Sequence, residues 1–272
     1  MSADTERVAI VTGGGSGIGR ATCLRLARDG YAVAALDLRE EAARETAGMI
    51  GARALGIRCD VSVDGEVKAA IDATVNRFHR LDLVFHAAGL PSRRAAELET
   101  VTHFDAVVAV SARGALLLAK YGVQHLRKTR GSMVNMSSVA ALVGLKDRVA
   151  YNAAKGAIIA MSRGMAIDYA EDGVRVNTIC PGVTDTPHVR QGIADSADPD
   201  AFRRGMLAAT PLGRFADPGE IADAVLYLAN ASFITGHTLV IDGGMTAKGS
   251  AWTKGGLDQS DAFGSQERGA TP

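Results

Sequence analysis

The chain has 272 residues and a formal net charge of zero, because acidic and basic side chains are equal in number. This length fits one large α/β domain, and the balanced charge gives no support for nucleic acid or a membrane as the partner. We find no apolar run long enough to cross a bilayer, and the polar residues 1–7 lead directly into a strand, so no signal peptide is expected.

Short apolar runs alternate along the chain with longer helical patterns. The runs predict buried strands at Arg7–Thr12, Tyr31–Asp37, Ala52–Cys59, Leu81–Ala87, Ser132–Ser138, Val174–Cys180 and His237–Ile241. The helical patterns cover Gly17–Asp29, Arg39–Ile50, Asp64–Phe78, Thr100–Lys128, Val149–Glu171 and Pro218–Leu228. Strict alternation of strand and helix predicts a doubly wound, parallel, seven-stranded Rossmann-like sheet whose ligand crevice lies at the carboxyl ends of the strands.

Two segments depart from this rhythm. Residues 183–213, the lid segment, form a long insertion after the sixth strand, in the position of a closing lid. Residues 245–272 form a polar tail outside the single predicted domain of residues 1–244. The tail is either disordered or an arm that clasps a partner subunit, with Trp252 and Phe263 as possible anchors.

Three isolated cysteines occupy apolar stretches, at Cys23, Cys59 and Cys180. Their spacing matches no metal-binding pattern, so we expect buried, reduced thiols and no metal site. Reduced thiols are typical of the cytoplasm, which is the expected location.

A glycine-rich stretch joins the first strand to the first helix. Its residues Gly13, Gly15, Ser16, Gly17, Ile18 and Gly19 can form a tight turn that brings backbone N–H groups to a pyrophosphate at the helix N-terminus. Asp37 ends the second strand, where a carboxylate accepts both ribose hydroxyls of NAD and repels the 2′-phosphate of NADP. Arg39 favours NADP if it turns toward that phosphate, although a solvated position suits it better. The cofactor prediction is therefore NAD.

Asp60 follows the third strand and has two interpretations of nearly equal weight. Its carboxylate can accept a hydrogen bond from the adenine amino group, with Val61 beside it. It can equally cap the following helix, although Asp64 is better placed for that purpose.

Tyr151 and Lys155 lie one helical turn apart and face the same way, and Ser138 precedes Tyr151 by 13 residues. A nearby ammonium favours the ionised phenol, so we expect Lys155 to lower the pKa of Tyr151. Tyr151 can then act as general base in alcohol oxidation and as general acid in ketone reduction. Ser138 can donate a hydrogen bond to the reacting oxygen.

With these motifs, the chain resembles the short-chain dehydrogenase/reductase family from Arg7 to Gly244. The resemblance rests on the glycine loop, Asn135-Met136-Ser137-Ser138, Tyr151-Asn152-Ala153-Ala154-Lys155, Pro181-Gly182 with Thr186, and Ile241-Asp242-Gly243-Gly244. It implies a homotetramer or homodimer that uses NAD or NADP. It also implies that Lys155 binds the nicotinamide ribose and that Pro181, Gly182, Val183 and Thr186 hold the nicotinamide. Asn177 and Asp242 are expected to tie loops to strand ends.

Two positions differ from the family pattern. His86-Ala87-Ala88-Gly89 stands where the family usually has Asn-Asn-Ala-Gly, so side-chain amides that brace the sheet are missing. We expect His86 to pack rather than to replace a bond, and Ala88 and Gly89 to adjoin the adenine ribose.

Ser111 takes the place of a catalytic Asn whose backbone carbonyl holds a water linked to Lys155. A local bend of the helix is expected to free the Ser111 carbonyl and preserve this relay.

The substrate pocket is predicted from the residues beside Ser138. Its floor comprises Val139, Ala140, Ala141, Leu142 and Leu90, and its lid carries His188, Arg190, Phe202, Arg203, Arg204 and Met206. These residues favour an apolar or aromatic secondary alcohol. Arg93, Arg94 and Arg190 offer sites for an acidic substrate, but solvated surface charges are the favoured interpretation.

The leading functional prediction is an NAD-dependent dehydrogenase that acts on a small-molecule secondary alcohol. Two alternatives stay open: an NADP-dependent ketoreductase, including one for acyl-carrier-bound ketones, and a catalytically idle NAD(H) sensor. Small residues on the Tyr151 helix, Ala153, Ala157, Ala160 and Gly164, predict a homo-oligomer interface.

Overall fold

The computed structural model describes residues 6–248. Most of the predicted tail, including Trp252 and Phe263, lies outside the described residues. Within them, seven parallel strands form one sheet in the order β3-β2-β1-β4-β5-β6-β7. The strands are β1 (Val8–Thr12), β2 (Ala32–Asp37), β3 (Ala54–Arg58), β4 (Leu83–His86), β5 (Ser132–Met136), β6 (Arg175–Pro181) and β7 (Thr238–Ile241). The predicted doubly wound fold is confirmed.

Helices cover both faces of this sheet. They are α1 (Gly17–Arg28), α2 (Glu40–Ile50), α3 (Asp64–Phe78), α4 (Val101–Val108), α5 (Gly114–Thr129), α6 (Val149–Asp168), α7 (Pro187–Ala194), α8 (Pro199–Ala208) and α9 (Pro218–Asn230). Alternate strand residues point to opposite faces, so Val11 packs with α1 and α9 whereas Ile10 packs with α3, α5 and α6. Two apolar cores result, one on each side of the sheet.

The two edge strands are less buried than predicted. All five residues of β1 are buried, but four of the five β3 residues are only half-buried and the fifth is exposed. The last strand, β7, is likewise half-buried or exposed. Both strands have a neighbour on one side only, so fewer side chains cover them.

The long helix predicted at Thr100–Lys128 is interrupted. Residues Ala109–Arg113 form a π-turn between α4 and α5, which is the local bend expected at Ser111. Taken together, residues 101–129 are long and apolar enough to cross a membrane, which corrects the expectation that no such stretch exists. In this fold most of its apolar window is buried, with Leu117, Leu118 and Leu126 in the core.

The lid segment forms two short helices that the periodicity of its sequence did not predict. Thr186 caps α7 by accepting a hydrogen bond from the Val189 amide at 3.3 Å. Asp198 caps α8 in the same way, through the Ala201 amide at 2.9 Å. Each cap is followed by a proline in the first helical turn, a start signal that the sequence contained.

Candidate active site

The glycine loop connects β1 to α1 and directs the N-terminus of α1 toward the crevice. A Cβ on Gly19 would lie 2.0 Å from the Gly13 carbonyl oxygen, so the helix reaches the loop only because position 19 has no side chain. Gly13 has a left-handed φ of 62° and Gly17 one of 50°. Ser16 is the N-cap of α1 but makes no capping hydrogen bond with its side chain. The first amides of α1 are thus available for phosphate oxygens.

Asp37 is fixed at the end of β2 by two backbone amides. Its carboxylate oxygens accept hydrogen bonds from Gly15 N and Arg39 N, both at 3.0 Å. The Asp37 side chain is only 12% exposed, whereas that of Arg39 is 68% exposed, with its Nε 3.9 Å from the carboxylate. The negative charge therefore faces the glycine loop, and the guanidinium lies in solvent.

The remaining residues predicted on the adenine side line a groove of about 260 Å³. Its lining includes Gly13, Ser16, Asp37, Arg39, Asp60, Val61, Ala88, Gly89 and Leu90. Asp60 does not cap α3, because the helix begins at Asp64 after an N-cap, Val63, that makes no side-chain bond. Its carboxylate instead accepts bonds from Ser62 N and Ser62 Oγ, at 2.9 and 2.7 Å. Phosphate-binding amides, a fixed carboxylate and a groove between them fit a dinucleotide.

Ser138 and Tyr151 line a second cavity, at the carboxyl ends of β5 and β6. Ser138 follows β5, and Tyr151 lies in the first turn of α6. Lys155, one turn further, is 2% exposed and donates from Nζ to the Met136 carbonyl at 2.8 Å. The backbone of α6 is held to β5 by Ser137, whose hydroxyl donates to the Lys155 carbonyl at 2.7 Å. The structure therefore places Ser138 and Lys155 next to Tyr151, as the sequence predicted.

The chain's own groups raise the pKa of Tyr151 rather than lowering it. Burial is the largest cause, and it outweighs the hydrogen bond with Ser138 and the nearby charge of Arg148, both of which lower that pKa. Burial also lowers the pKa of Lys155 to about 8. The Lys155 ammonium lies 5.6 Å from the centre of the Tyr151 ring, and the net shift of the Tyr151 pKa is nevertheless upward. The expected effect of Lys155 on Tyr151 is therefore wrong for this arrangement.

Residues after β6 complete the rim of this cavity. Pro181, Gly182, Val183 and Thr186 all line it, together with Ile18 from α1. Asn177 ties β6 to the loop before β7, accepting from His237 N at 3.1 Å and donating to the Ile234 carbonyl at 2.9 Å. Asp242 accepts bonds from Gly244 N and from Thr246 N, at 2.9 and 2.7 Å, as its expected structural role requires.

His86 does more than pack. Its ring is fully buried, with Nδ1 2.9 Å from Thr12 Oγ1 and Nε2 2.9 Å from the Ser111 carbonyl oxygen. Thr12 Oγ1 already accepts hydrogen bonds from the amides of Ala87 and Ala88, so its own hydrogen is directed to Nδ1. Nε2 must then carry the ring proton and donate it to Ser111. Burial and the Lys155 charge lower the pKa of His86 to about 4, in agreement with this neutral form.

His86 therefore corrects the expectation of simple packing, because it joins β1, β4 and the π-turn. The Gly114 amide is directed at the Ala109 and Ser111 carbonyls, and His86 Nε2 donates to the same Ser111 oxygen, so this carbonyl is not left free as the relay prediction required. Gly114 makes room for the ring, since a Cβ there would lie 3.1 Å from His86 Cε1. Ser111 itself is fully buried and does not line the Tyr151 cavity; among residues 6–248, no group bonds its hydroxyl.

The pocket predictions were correct only in part. Val139 lines the Tyr151 cavity, but Leu90 lies in the cofactor groove, Ala140 is buried, and Leu142 is 43% exposed. These positions differ because a short 3-10 turn, Val139–Ala141, sends successive side chains in different directions. From the lid, His188 and Met206 reach the cavity.

Sequence reasoning missed Arg148, which also lines the cavity. It is the N-cap of α6, three residues before Tyr151, and its guanidinium carbon lies 5.9 Å from the centre of the Tyr151 ring. Its place three residues before Tyr151, about one helical turn away, could have predicted that it borders the same cavity.

Comparison with known proteins agrees with this arrangement. The family model described as enoyl-(acyl carrier protein) reductase matches residues 13–246. The chain belongs to the short-chain dehydrogenase/reductase family. It is an oxidoreductase that uses a nicotinamide cofactor, as membership of this family and its dehydrogenase relatives indicate.

Two curated relatives and one solved structure illustrate the similarity. The chain is 39% identical to 2-(R)-hydroxypropyl-CoM dehydrogenase of Xanthobacter autotrophicus, over 89% of this chain and 99% of the relative. It is 38% identical to cis-4-hydroxycyclohexanecarboxylate dehydrogenase of Sinomonas cyclohexanicum, over 89% and 97% of the two chains. The crystal structure of levodione reductase superposes with a TM-score of 0.86 at 32% identity, covering 90% of this chain and 99% of the other.

The three cysteines are free and buried. Burial raises the pKa of Cys59 to about 12 and also raises that of Cys180, so neither thiol is activated as a nucleophile. Within the described part of the chain, no group of three or more His, Cys, Asp or Glu side chains is arranged to hold a metal ion.

Proposed function

We propose that this protein is an NAD-dependent dehydrogenase that interconverts a secondary alcohol and a ketone. The observation that carries the proposal is the placement of Ser138 and Tyr151 in one cavity beside the turn Pro181-Gly182. Nicotinamide supplies hydride acceptance or donation when it is bound. The remaining task, moving a proton at the substrate oxygen, falls to the chain's own side chains.

Tyr151 is the proposed general acid and base. Its hydroxyl removes the alcohol proton during oxidation and returns a proton to the ketone oxygen during reduction. Ser138 hydrogen-bonds with Tyr151, so its hydroxyl can also orient the reacting oxygen. Lys155 lies next to Gly89, where a Cβ would be 3.4 Å from Nζ, and this position supports the ribose-binding role implied by the family.

The preference for NAD over NADP is proposed from the charge at the end of β2. The Asp37 carboxylate is fixed against the glycine loop by Gly15 N and Arg39 N, whereas the Arg39 side chain, which also borders the groove, extends into solvent. Purified protein assayed with NAD⁺ and with NADP⁺ on a panel of secondary alcohols tests this directly. We expect kcat/KM to favour NAD⁺, and the substitution Asp37→Ser to reduce that preference on the order of tenfold, because one repulsive charge is removed.

Small secondary alcohols are the proposed substrates. The relatives' names, 2-(R)-hydroxypropyl-CoM and cis-4-hydroxycyclohexanecarboxylate dehydrogenase, describe compounds with a hydroxyl on a secondary carbon. The cavity beside Tyr151 is lined by the apolar side chains of Val139, Leu145, Val189, Met206 and Met245, which suit a compact hydrocarbon body. The lid helices α7 and α8 are proposed to close over it.

One alternative has an observation in its favour. The matching family model is described as enoyl-(acyl carrier protein) reductase, which keeps an NADP-dependent reductase of acyl-carrier-bound substrates as the second candidate. Turnover with NADP⁺ alone would support that candidate over the NAD-dependent enzyme. Binding of NADH without turnover on any alcohol or ketone would instead favour an idle sensor.

We also propose a homo-oligomer. Ala153, Ala160 and Gly164 are exposed along one side of α6, and a Cβ on Gly164 would contact nothing within 4 Å. An exposed stripe of small residues lets a second helix approach closely, so α6 is the proposed contact between two copies. Sedimentation of the protein and of Gly164→Leu tests this, since the larger side chain is expected to weaken the assembly.

A further inference from the structure

Three basic side chains from separate segments converge above Tyr151. Arg148 and His188 line the same cavity as Ser138 and Tyr151. Arg93, in the loop after β4, stacks on the Phe202 ring of α8 at 5.0 Å, and a Cβ on Gly192 of α7 would lie 3.0 Å from its guanidinium. The backbone of Arg148 pairs with that of Arg94, which brings the β4 loop alongside the start of α6.

These basic groups lack the acidic partners that neighbouring arginines have. Arg94 pairs with Glu99 at 3.4 Å, and Arg190 pairs with Asp185 at 2.7 Å, so the favoured interpretation as surface charges holds for both. Within residues 6–248, no carboxylate lies within ion-pair distance of Arg93, Arg148 or His188. Arg148 and His188 thus line the cavity with no carboxylate at ion-pair distance, and Arg93 lies close enough to affect the pKa of both.

The proximity of these basic groups lowers the pKa values of two of them. Burial is the largest cause that lowers the pKa of Arg148, and the charge of Arg93 lowers it further. The pKa of His188 is lowered by burial and then by Arg93 and Arg148. Arg93 is exposed, so water can stabilise its charge. Arg148 is half-buried against the Tyr151 ring, where water stabilises its charge less. An anion among these groups would remove the repulsion and satisfy the Arg148 guanidinium.

We propose that Arg148, assisted by Arg93 and His188, is an anion subsite that binds a carboxylate on the alcohol substrate. The inference rests on the proposed function, because the subsite shares its cavity with Tyr151. The separation of 5.9 Å between the Arg148 guanidinium carbon and the Tyr151 ring centre allows one compact molecule to reach both. A planar guanidinium matches a carboxylate through two parallel hydrogen bonds. The substrate class is therefore a small hydroxy acid with an apolar body.

A binding experiment tests the subsite without turnover. Cyclohexanecarboxylate and cyclohexanecarboxamide have the same shape, differ in charge and contain no reacting hydroxyl or ketone. Calorimetry with the NADH-bound protein at low ionic strength is expected to give at least tenfold tighter binding of the acid. The preference should be lost in Arg148→Gln and retained in Arg94→Gln, the matched control outside the cavity. Equal affinity for acid and amide, or an unchanged preference in Arg148→Gln, would overturn the subsite.

A kinetic experiment separates the subsite from the proposed function. With NAD⁺, we expect Arg148→Gln to raise KM for cis-4-hydroxycyclohexanecarboxylate at least tenfold more than KM for the corresponding amide. Arg148→Lys should recover part of the loss, because it restores the charge but not the planar fork. Comparable losses on acid and amide would overturn the subsite while leaving the dehydrogenase intact. Acid-selective binding without oxidation of either compound would support the subsite and refute the dehydrogenase.

Discussion

The two halves of the crevice are built by different means. In the cofactor half, the amides for the phosphates and the Asp37 carboxylate come from the contiguous β1-α1-β2 unit, and residues after β3 and β4 add only the wall of the groove. The substrate half gathers side chains from the β4 loop, β5, α6 and the lid segment. Local chain geometry therefore defines the cofactor half, whereas the substrate half depends on segments distant in sequence. A substitution in the first half should affect the binding of the cofactor, and one in the second should affect chemistry or substrate choice.

The largest expected effect is on the chemistry of the substrate half. Replacing Tyr151 with Phe removes the hydroxyl that moves the proton and leaves the ring in place. We expect kcat to fall by about 10²–10⁴-fold, the usual contribution of a general acid or base. NADH affinity, measured by fluorescence titration, should change little, because the groove around Asp37 is untouched. Unchanged turnover would refute the assignment of Tyr151.

The next effect isolates the cofactor half. In Gly19→Ala, the new methyl group would meet the Gly13 carbonyl oxygen at 2.0 Å, so the loop must move. We expect NADH affinity to fall by on the order of tenfold or more, since phosphate binding depends on the position of these amides. Gly48→Ala is the matched control, because a Cβ there meets nothing within 4 Å. It should bind NADH normally and gain up to about 0.5–1 kcal/mol of stability, because it lies in the last turn of α2 and alanine favours the helical backbone. Equal NADH affinity in both variants would contradict the account of the loop.

His86, which joins β1, β4 and the turn at Ser111, should make stability depend on pH. The ring titrates at its ordinary pKa of 6.5 when unfolded and at about 4 when folded. Between these values the unfolded state binds more protons, so the free energy of unfolding falls as the pH falls. Its full contribution is present above pH 6.5, and by pH 4 about 3 kcal/mol of it should be lost.

Chemical denaturation of the protein and of His86→Asn across this pH range provides the measurement. The variant lacks the titrating ring, so its free energy of unfolding should fall less steeply between pH 6.5 and 4. Parallel curves for the two proteins would show that His86 is not neutral in the fold.

The smallest expected effect concerns Ser111. Its carbonyl oxygen accepts a hydrogen bond from His86 Nε2, and its buried hydroxyl has no partner among the residues described. Ser111→Ala keeps the carbonyl and removes the hydroxyl, so we expect kcat to change by less than about twofold and stability to rise by up to about 1–2 kcal/mol. A large loss of turnover would show that the Ser111 hydroxyl takes part in catalysis.

The sequence by itself determined the alternation of strands and helices, the parallel sheet, the glycine loop and the set Ser138, Tyr151 and Lys155. These features were predictable because they depend on local periodicity, on glycine where a Cβ cannot fit, and on the spacing of one helical turn. A bend at Ser111 was also expected, and the caps of the lid helices were present in the sequence, but the low burial of the edge strands was not predictable, since it depends on which neighbours a strand meets.

Only the tertiary structure decided the hydrogen bonds of His86, the direction of the Tyr151 pKa shift and the convergence of Arg93 with Arg148. His86 meets Thr12 and Ser111 across 74 and 25 residues of sequence. Tyr151 responds to burial, which the sequence spacing of charged residues does not measure. Arg93 affects the pKa of Arg148 because the fold brings the loop after β4 alongside the start of α6. Long-range contacts and desolvation set these properties, and neither has a local signature in the chain.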